Sequence, residues 1–381
     1  MVEPTGRAGV YVHVPFCVSH CPYCDFTVAV LSKIPHVQYG DALLAEWRAR
    51  RNEIEGRTVR TLYFGGGTPA LLDVEQIARV IEAVSVENAL DEVTLEANPD
   101  RCDRARLQAF RDAGVTRLSL GTQSFDDTTL SMLGRQHSGA QAQQVVRDAQ
   151  SLGFSRLSVD IMTSMPGEPR SRLRRDLDVV RALGVGHVSV YELTIEPKTT
   201  FSARVSRGEM SGVDEDEAAD DEELVASVLP ALGLARYEVG SYGKLGHEGL
   251  HNSAYWVGDD YLGLGVGAHS LLVGSGVRRR QNTRSLRAYL RAPLIGGVEE
   301  PLSAALHLRE VLMTALRTTR GVELADLVRR FPGSPLPTAL FDDWRARGWI
   351  VPNAGIVAAS SDGLSWSDAM ASELFAAAID D

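Results

Sequence analysis

The stretch VYVHVPFCVSHCPYCDF, residues 10–26, joins an apolar strand to a loop that carries three of the chain's four cysteines. Residues 10–14 have the pattern of a buried strand. The C-x3-C-x2-C spacing of Cys17, Cys21 and Cys24 places three thiols on the loop at the carboxyl end of that strand. In a chain without the marks of secretion, clustered thiols indicate a metal site or catalysis more often than a disulfide framework.

Strand-like and helix-like segments alternate through the first half of the chain. Strands are predicted at residues 10–14, 59–64, 92–97, 116–120, 155–162 and 187–193, and helices between them at 36–55, 73–84, 103–113, 140–152 and 170–183. Such alternation is typical of parallel βαβ units. Six units are too few for a closed eight-stranded barrel. The sequence therefore predicts an α/β fold, an open partial (β/α)6 barrel with ligands at the carboxyl ends of its strands.

The character of the sequence changes twice after residue 235. Residues 236–300 are rich in glycine, histidine and aromatic residues, and residues 301–381 have the pattern of short helices. We therefore predict a barrel domain over residues 1–235, an extension over 236–300 that completes the barrel core, and a small helical or winged domain over 301–381.

The charge balance limits the partners of the chain. With 39 basic and 50 acidic residues it has a net charge of −11, which weighs against broad binding to nucleic acid or anionic lipid. No apolar run reaches the ~18 residues that span a bilayer. Residues 1–10 have no apolar core followed by a cleavage site. We expect a cytoplasmic protein with no transmembrane segment and no nucleic-acid partner, and peripheral contact with a membrane stays open.

Three thiols on one short loop suit two kinds of metal centre. A structural zinc site normally has four closed ligands, so zinc would need His13 or His20 as its fourth ligand. Iron–sulfur clusters usually have four cysteines, and three would leave one iron open to an outside ligand. Cys102 lies far beyond Cys24, at a predicted helix start, and is expected to be an ordinary thiol. On spacing alone, zinc, a cluster and unpaired thiols all stay open.

Polar residues and glycines stand where the other predicted strands end. They are Gly66, Gly67 and Thr68 in FGGGTP, Glu96 in TLEANP, Gln123 in LSLGTQSF and Asp160 in VDIM. Arg135 in LGRQH lies between the fourth predicted strand and the helix that follows it. Each one by itself is also explained by a tight turn or by a solvated or paired strand-end group. Because the carboxyl ends of parallel strands meet at one edge, we expect them together to form a pocket facing the cysteine loop.

With these motifs in this order, the sequence resembles the radical S-adenosylmethionine (SAM) superfamily, whose signature is C-x3-C-x2-C. Within it, the chain is similar to the oxygen-independent coproporphyrinogen oxidase group, most of all to its HemW-type haem chaperone branch, from Tyr11 to about Ser270. The resemblance implies a [4Fe–4S] cluster on the three cysteines and SAM contacts from the seven residues above. Tyr11 is a lesser SAM candidate, for which core packing is the alternative. The resemblance further implies cleavage of SAM to a 5′-deoxyadenosyl radical.

The cysteine motif also helps to distinguish the haem chaperones from the decarboxylating enzymes of the same group. In the coproporphyrinogen-decarboxylating enzymes the motif continues to a fourth cysteine, and here that position is Phe26. The departure disfavours a coproporphyrinogen III dehydrogenase.

A second motif points to haem. His251, Tyr255 and Trp256 in HNSAYW match the H-N-x-x-Y-W motif that the resemblance associates with haem binding. Histidine is the usual protein ligand of haem iron, and His247 and His269 are further candidates. For each histidine a structural role is the alternative.

The leading hypothesis is a haem chaperone that binds haem, a [4Fe–4S] cluster and SAM, and hands haem to an acceptor protein. Its electron donor is expected to be of the flavodoxin or ferredoxin kind. Two alternatives remain at this point: a radical SAM enzyme that oxidatively decarboxylates coproporphyrinogen III, and a zinc-stabilised structural or interaction protein.

Overall fold

Six parallel strands form the centre of the fold. The structure is a computed structural model that describes residues 2–167, 170–353 and 355–377. The strands are β1 (Arg7–Val14), β2 (Thr58–Gly66), β3 (Glu92–Ala97), β4 (Arg117–Gln123), β5 (Arg156–Thr163) and β6 (His187–Glu192). They lie side by side in chain order. The predicted α/β partial barrel is confirmed.

Helices connect the parallel strands, as the alternating pattern requires. They are α1 (His36–Arg50), α2 (Val74–Ser85), α3 (Arg104–Asp112), α4 (Asp127–Met132), α5 (Gly139–Ser151) and α6 (Arg170–Leu183). Two more helices, α7 (Thr200–Ser206) and α8 (Glu215–Ala231), follow β6. Helix α2 buries Ile77, Val80, Ile81 and Val84, the i, i+3, i+4, i+7 stripe of a helix that packs on a sheet.

The extension lengthens the sheet at both edges. Strands β7 (Ala235–Glu238) and β8 (Ser241–Gly243) add antiparallel to β6. Strand β9 (Asp260–Leu264) pairs parallel with β1, and β10 (His269–Val273), β11 (Val277–Gln281) and β12 (Val298–Leu302) continue antiparallel. Within the described residues, this sheet has twelve strands. Helices α9 (Leu250–Trp256) and α10 (Leu286–Arg291) lie between these strands in the chain.

The C-terminal part is helical. It contains α11 (Ala304–Ala315), α12 (Leu324–Arg330), α13 (Thr338–Ala346) and α14 (Ser367–Ala376), and the two-residue strands Val322–Glu323 and Ile356–Val357 pair antiparallel. It has its own apolar cluster, in which Trp344 and Met370 are buried. In the part of the chain that the structure covers, no helix is both long and apolar enough to cross a lipid bilayer.

The three-part division stays a prediction. Its boundaries at 235/236 and 300/301 fall inside β7 and β12, because composition does not show which residues share a strand. Residues 1, 168–169, 354 and 378–381, which belong to the first and third predicted parts, lie outside the described residues.

Strand β1 shows how the sheet positions the functional residues. Val10, Val12 and Val14 are fully buried in the main apolar core. Tyr11 and His13 alternate with them and line a cavity, because successive side chains of a strand point to opposite faces.

Candidate functional site

A cleft of about 330 Å³ opens where the parallel strands end. It brings together the three predicted cluster cysteines and seven of the eight predicted SAM residues, which are Gly66, Gly67, Thr68, Glu96, Gln123, Arg135 and Asp160. Tyr11 is the exception: it lines the adjoining cavity and stacks on Tyr63 with ring centroids 6.1 Å apart. The roles of these residues toward SAM stay a prediction.

The glycine-rich turn is pressed against the cysteine loop. A Cβ atom at Gly67 would lie 2.9 Å from the Cys17 sulfur and 2.8 Å from the Pro15 backbone, so a side chain at this position would displace the loop. The Thr68 hydroxyl lies 3.8 Å from the same sulfur. Burial raises the pKa of the Cys17 thiol to about 11, and a metal must therefore displace its proton on binding.

The three thiols of the loop lie along one cleft and, within the described ranges, are not part of a closed four-ligand site. Cys17, Cys21 and Cys24 are free and half-buried along one cleft. Among the described residues, no three His, Cys, Asp or Glu side chains are grouped closely enough to hold one metal ion. The structure therefore shows no closed four-ligand zinc site of the usual kind in these residues. Cys102, fully buried, faces a different cavity and has a pKa raised by burial to about 12.

An arginine network crosses the cleft. Arg135 donates to the Gly121 carbonyl at 2.6 Å and to the Asn98 side-chain oxygen at 2.7 Å, and its Nη1 atom lies 3.9 Å from the Cys21 sulfur. Asn98 in turn donates to the Thr68 hydroxyl at 3.2 Å. A guanidinium held in this way is oriented to receive a ligand carboxylate. The sequence analysis missed Asn98, although it follows a strand in the TLEANP motif.

Two carboxyl groups, those of Glu96 and Asp160, also line the cleft. Glu96 accepts hydrogen bonds from the Tyr63 hydroxyl at 2.6 Å and from the Gly66 N–H at 3.2 Å. Burial raises the pKa of Glu96 to about 7 and that of Asp160 to about 6, and repulsion between the two adds to the rise at Glu96. A cationic ligand would favour their ionised forms, and SAM carries both a sulfonium and an ammonium group.

Two backbone positions with positive φ face the cleft. Gly66 has φ +112°, and a Cβ atom there would lie 2.5 Å from the His13 ring. Gln123 has φ +65° although it is not glycine, where the β4–β5 pairing shifts register after Leu120. Left-handed backbone at a non-glycine residue is uncommon and concentrates at functional sites, which supports the choice of Gln123 as a site residue.

The predicted haem motif lies on α9, with its histidine sealed in the barrel. His251 is 1% exposed, and its ring nitrogens are 2.8 Å from the Thr61 hydroxyl and 2.7 Å from the Tyr255 hydroxyl. It stacks on Tyr63 at 5.0 Å, and burial lowers its pKa to about 3. As the structure stands, His251 has no free nitrogen for iron, so its predicted role requires these hydrogen bonds to open.

The other haem candidates are spread over three places. Tyr255 and His269 line a second cavity of about 680 Å³ beside the cleft. Trp256 is turned elsewhere and donates its indole N–H to Glu238. His247 lies against a separate surface groove. The structure therefore brings together only Tyr255 and His269 of these four residues.

The cysteine loop lies at the carboxyl ends of a partial parallel barrel, and a glycine turn and two acids lie beside it. This arrangement defines the class of radical SAM proteins. The Radical SAM superfamily profile matches residues 11–180. "Heme chaperone HemW" of Mycobacterium tuberculosis is 37% identical over 84% of each chain, and that of Lactococcus lactis is 32% identical over 84% of each. The chain belongs to the HemW family of radical SAM proteins.

Relatives also occur in mammals, and the fold has a solved counterpart. "Radical S-adenosyl methionine domain-containing protein 1, mitochondrial" of Bos taurus is 36% identical over 83% of this chain and 74% of its own length. The structure of coproporphyrinogen III oxidase (HemN) from Escherichia coli, a radical SAM enzyme, covers 97% of this chain and 90% of its own with a TM-score of 0.79. At 20% identity, this likeness shows a shared fold.

Family membership decides between the metal centres. Radical SAM proteins carry a [4Fe–4S] cluster and SAM, so the zinc-stabilised alternative is set aside. The cleft fits both groups, since its thiols suit iron, Arg135 suits a carboxylate and Glu96 and Asp160 suit a cation. When bound together, cluster and SAM supply the reductive cleavage of SAM. The residues of this chain bind them, orient them and limit the access of water.

Proposed function

We propose that this protein is a haem chaperone, which binds haem and a SAM-ligated [4Fe–4S] cluster and passes haem to an acceptor protein. The observation that carries the proposal is its similarity to proteins named "Heme chaperone HemW" across 84% of the chain. An electron donor of the flavodoxin or ferredoxin kind and a place in the cytoplasm, where thiols stay reduced, belong to the same proposal.

The rim of the cleft supports a carrier over a decarboxylase. Phe26 stands two residues after Cys24, at the position where the resembled decarboxylases have a fourth cysteine, and it is 64% exposed. The cleft and the second cavity share Phe26, Gly66 and Glu96 in their walls. A ligand in the second cavity would therefore lie directly beside the cluster and SAM, and the two sites can influence each other through common residues.

The test is a paired assay on anaerobically reconstituted protein. We expect about four irons per chain, a saturable Soret absorption on haem addition, and transfer of that absorption to an apo-haemoprotein. The same preparation receives coproporphyrinogen III, SAM and a reductant. Cys21→Ala, which removes a cleft thiol, serves as the cluster-free control.

Two results would overturn the proposal. A cluster-loaded protein that shows no saturable haem binding is not a haem carrier. Formation of protoporphyrinogen at a rate that depends on Cys21 would instead establish the decarboxylase. Haem binding without turnover is the expected result.

A further inference from the structure

The second cavity has the size and the lining of a ligand site. Its volume of about 680 Å³ lies within the 300–1,000 Å³ typical of small-molecule sites. It is bounded by β1, by β9 to β11 and by α11, and we call it the side chamber. Three tyrosines, Tyr11, Tyr255 and Tyr261, contribute to its lining. Aromatic side chains of this kind pack well against a flat conjugated ligand.

The rim of the side chamber is rich in hydrogen-bond donors. With the Gln281 amide oriented so that its oxygen faces them, that oxygen accepts from Arg284 Nε at 2.9 Å, from Arg284 Nη2 at 3.1 Å and from His269 Nε2 at 3.0 Å. Arg284 and His269 are both exposed. Two donor side chains thus converge on one neutral oxygen, a position where a carboxylate oxygen would be a stronger acceptor.

Arg284 differs in its partners from Arg279 and Arg280 of the neighbouring strand β11. Arg279 pairs with Glu310 at 2.6 Å, and Arg280 pairs with Glu299 at 3.0 Å. Arg284 has no carboxylate within ion-pair distance among the described residues. In a chain with a net charge of −11, an arginine without an acid at the mouth of a cavity points to an anionic ligand.

The interior of the side chamber holds a second indication. His307 on α11 contributes to its lining and is fully buried. Neither of its ring nitrogens has a hydrogen-bond partner within the part of the chain described. Buried polar atoms normally have partners, so this imidazole marks a place where a polar group of a ligand would complete the bonding.

We propose that the side chamber is the tetrapyrrole site, in which Arg284 and His269 bind the carboxylates of the macrocycle and the tyrosines pack against its ring. The inference rests on the haem-carrier function and places that ligand away from the sealed His251. It assigns recognition to the acidic edge of the ligand, so an iron-free porphyrin with the same carboxylates binds in the same way.

The experiment compares haem with haem dimethyl ester, whose carboxylates are blocked. Wild-type protein is expected to bind haem about tenfold or more tightly than the ester, since hydrogen bonds to charged groups are worth this much. Arg284→Ala weakens haem binding by about tenfold, leaves ester binding unchanged and so removes the preference. His269→Ala acts in the same direction. Protoporphyrin IX, which lacks iron, follows haem in every variant.

Matched controls separate the site from general effects of charge. Arg287 is exposed, lies three residues after Arg284 and is outside the chamber lining, so Arg287→Ala keeps the preference for haem. His36→Ala is the histidine control, because His36 lines a different cavity. Thermal unfolding of the ligand-free variants shows that each is folded.

Each possible result either supports the proposed haem site or overturns it. Equal binding of haem and its ester by the wild type, or a full preference for haem in both Arg284→Ala and His269→Ala, overturns this placement and leaves the haem carrier standing. Absence of haem binding by the wild type overturns the proposed function and the placement together. Loss of preference confined to the chamber variants supports the site.

Discussion

Replacing Glu96 by glutamine should weaken SAM binding and stabilise the ligand-free protein. Glu96 is half-buried at the cleft wall, and burial raises its pKa from the ordinary 4.5 to about 7. As the pH rises, the carboxyl loses its proton in the unfolded chain before it does so in the folded one. Its ionisation therefore costs stability, a cost that grows between about pH 4.5 and pH 7 and is complete above that range.

The size of both effects follows from the same carboxylate. A rise from 4.5 to about 7 corresponds to roughly 3 kcal/mol, and solvent screening at a half-buried group reduces this to about 1–2 kcal/mol. Glu96→Gln should gain that amount at pH 8 and nothing near pH 4.5. Toward SAM, the loss of a charged acceptor costs about 1.5–3 kcal/mol, or about 10- to 100-fold in affinity.

Calorimetric titration of SAM into cluster-loaded protein between pH 5.5 and 8 measures the affinity, and chemical unfolding of the ligand-free protein measures the stability. The wild-type affinity should rise with pH as Glu96 ionises, and the variant should keep the weaker dependence that comes from Asp160, whose pKa is about 6. Glu192→Gln makes the same change at the end of β6, outside the cleft lining. A Glu96→Gln variant with wild-type affinity and wild-type pH dependence would show that Glu96 does not bind SAM.

Three further outcomes are expected. Cys21→Ala should lose the cluster iron and Cys102→Ala should keep it, because Cys102 faces another cavity; full iron in Cys21→Ala would contradict the ligand assignment. Gly66→Ala should lower the free energy of unfolding by about 1–3 kcal/mol, since φ is +112°, whereas Gly212→Ala, which meets open space, should change it little. His251→Ala should lose about 2–3 kcal/mol even without haem, because two buried hydrogen bonds disappear; an unchanged denaturation midpoint would show that these bonds do not hold the barrel together.

The barrel was predictable from the sequence because its pattern is local. The helix predicted at 170–183 is α6 with the same bounds. The helix predicted at 36–55 ends earlier, at Arg50, and continues as a 3₁₀ turn to Ile54, since helix ends often tighten in this way. Strand β2 runs two residues beyond its predicted end, to Gly66, because β1 supplies partners for both glycines.

The sequence predicted which residues line the cleft, but it did not predict the hydrogen bonds between them. Parallel strands bring their ends to one edge, which is enough to gather Glu96, Gln123 and Asp160. Asn98 orients Arg135 from 37 positions away in the sequence. A contact between residues this far apart produces no periodic sequence pattern. The same holds for Gln281, whose oxygen joins His269 and Arg284 only in the folded chain.

The alternation of strands and helices and the spacing of the cysteines were enough to predict a partial barrel with three thiols at its edge, because both patterns depend on neighbours along the chain. Which histidine is accessible becomes visible in the folded chain. His251 carries the motif yet is sealed by Thr61, 190 positions away, whereas His269, outside that motif, stands exposed at the chamber rim. Burial depends on partners from distant strands and helices, and no local pattern records them.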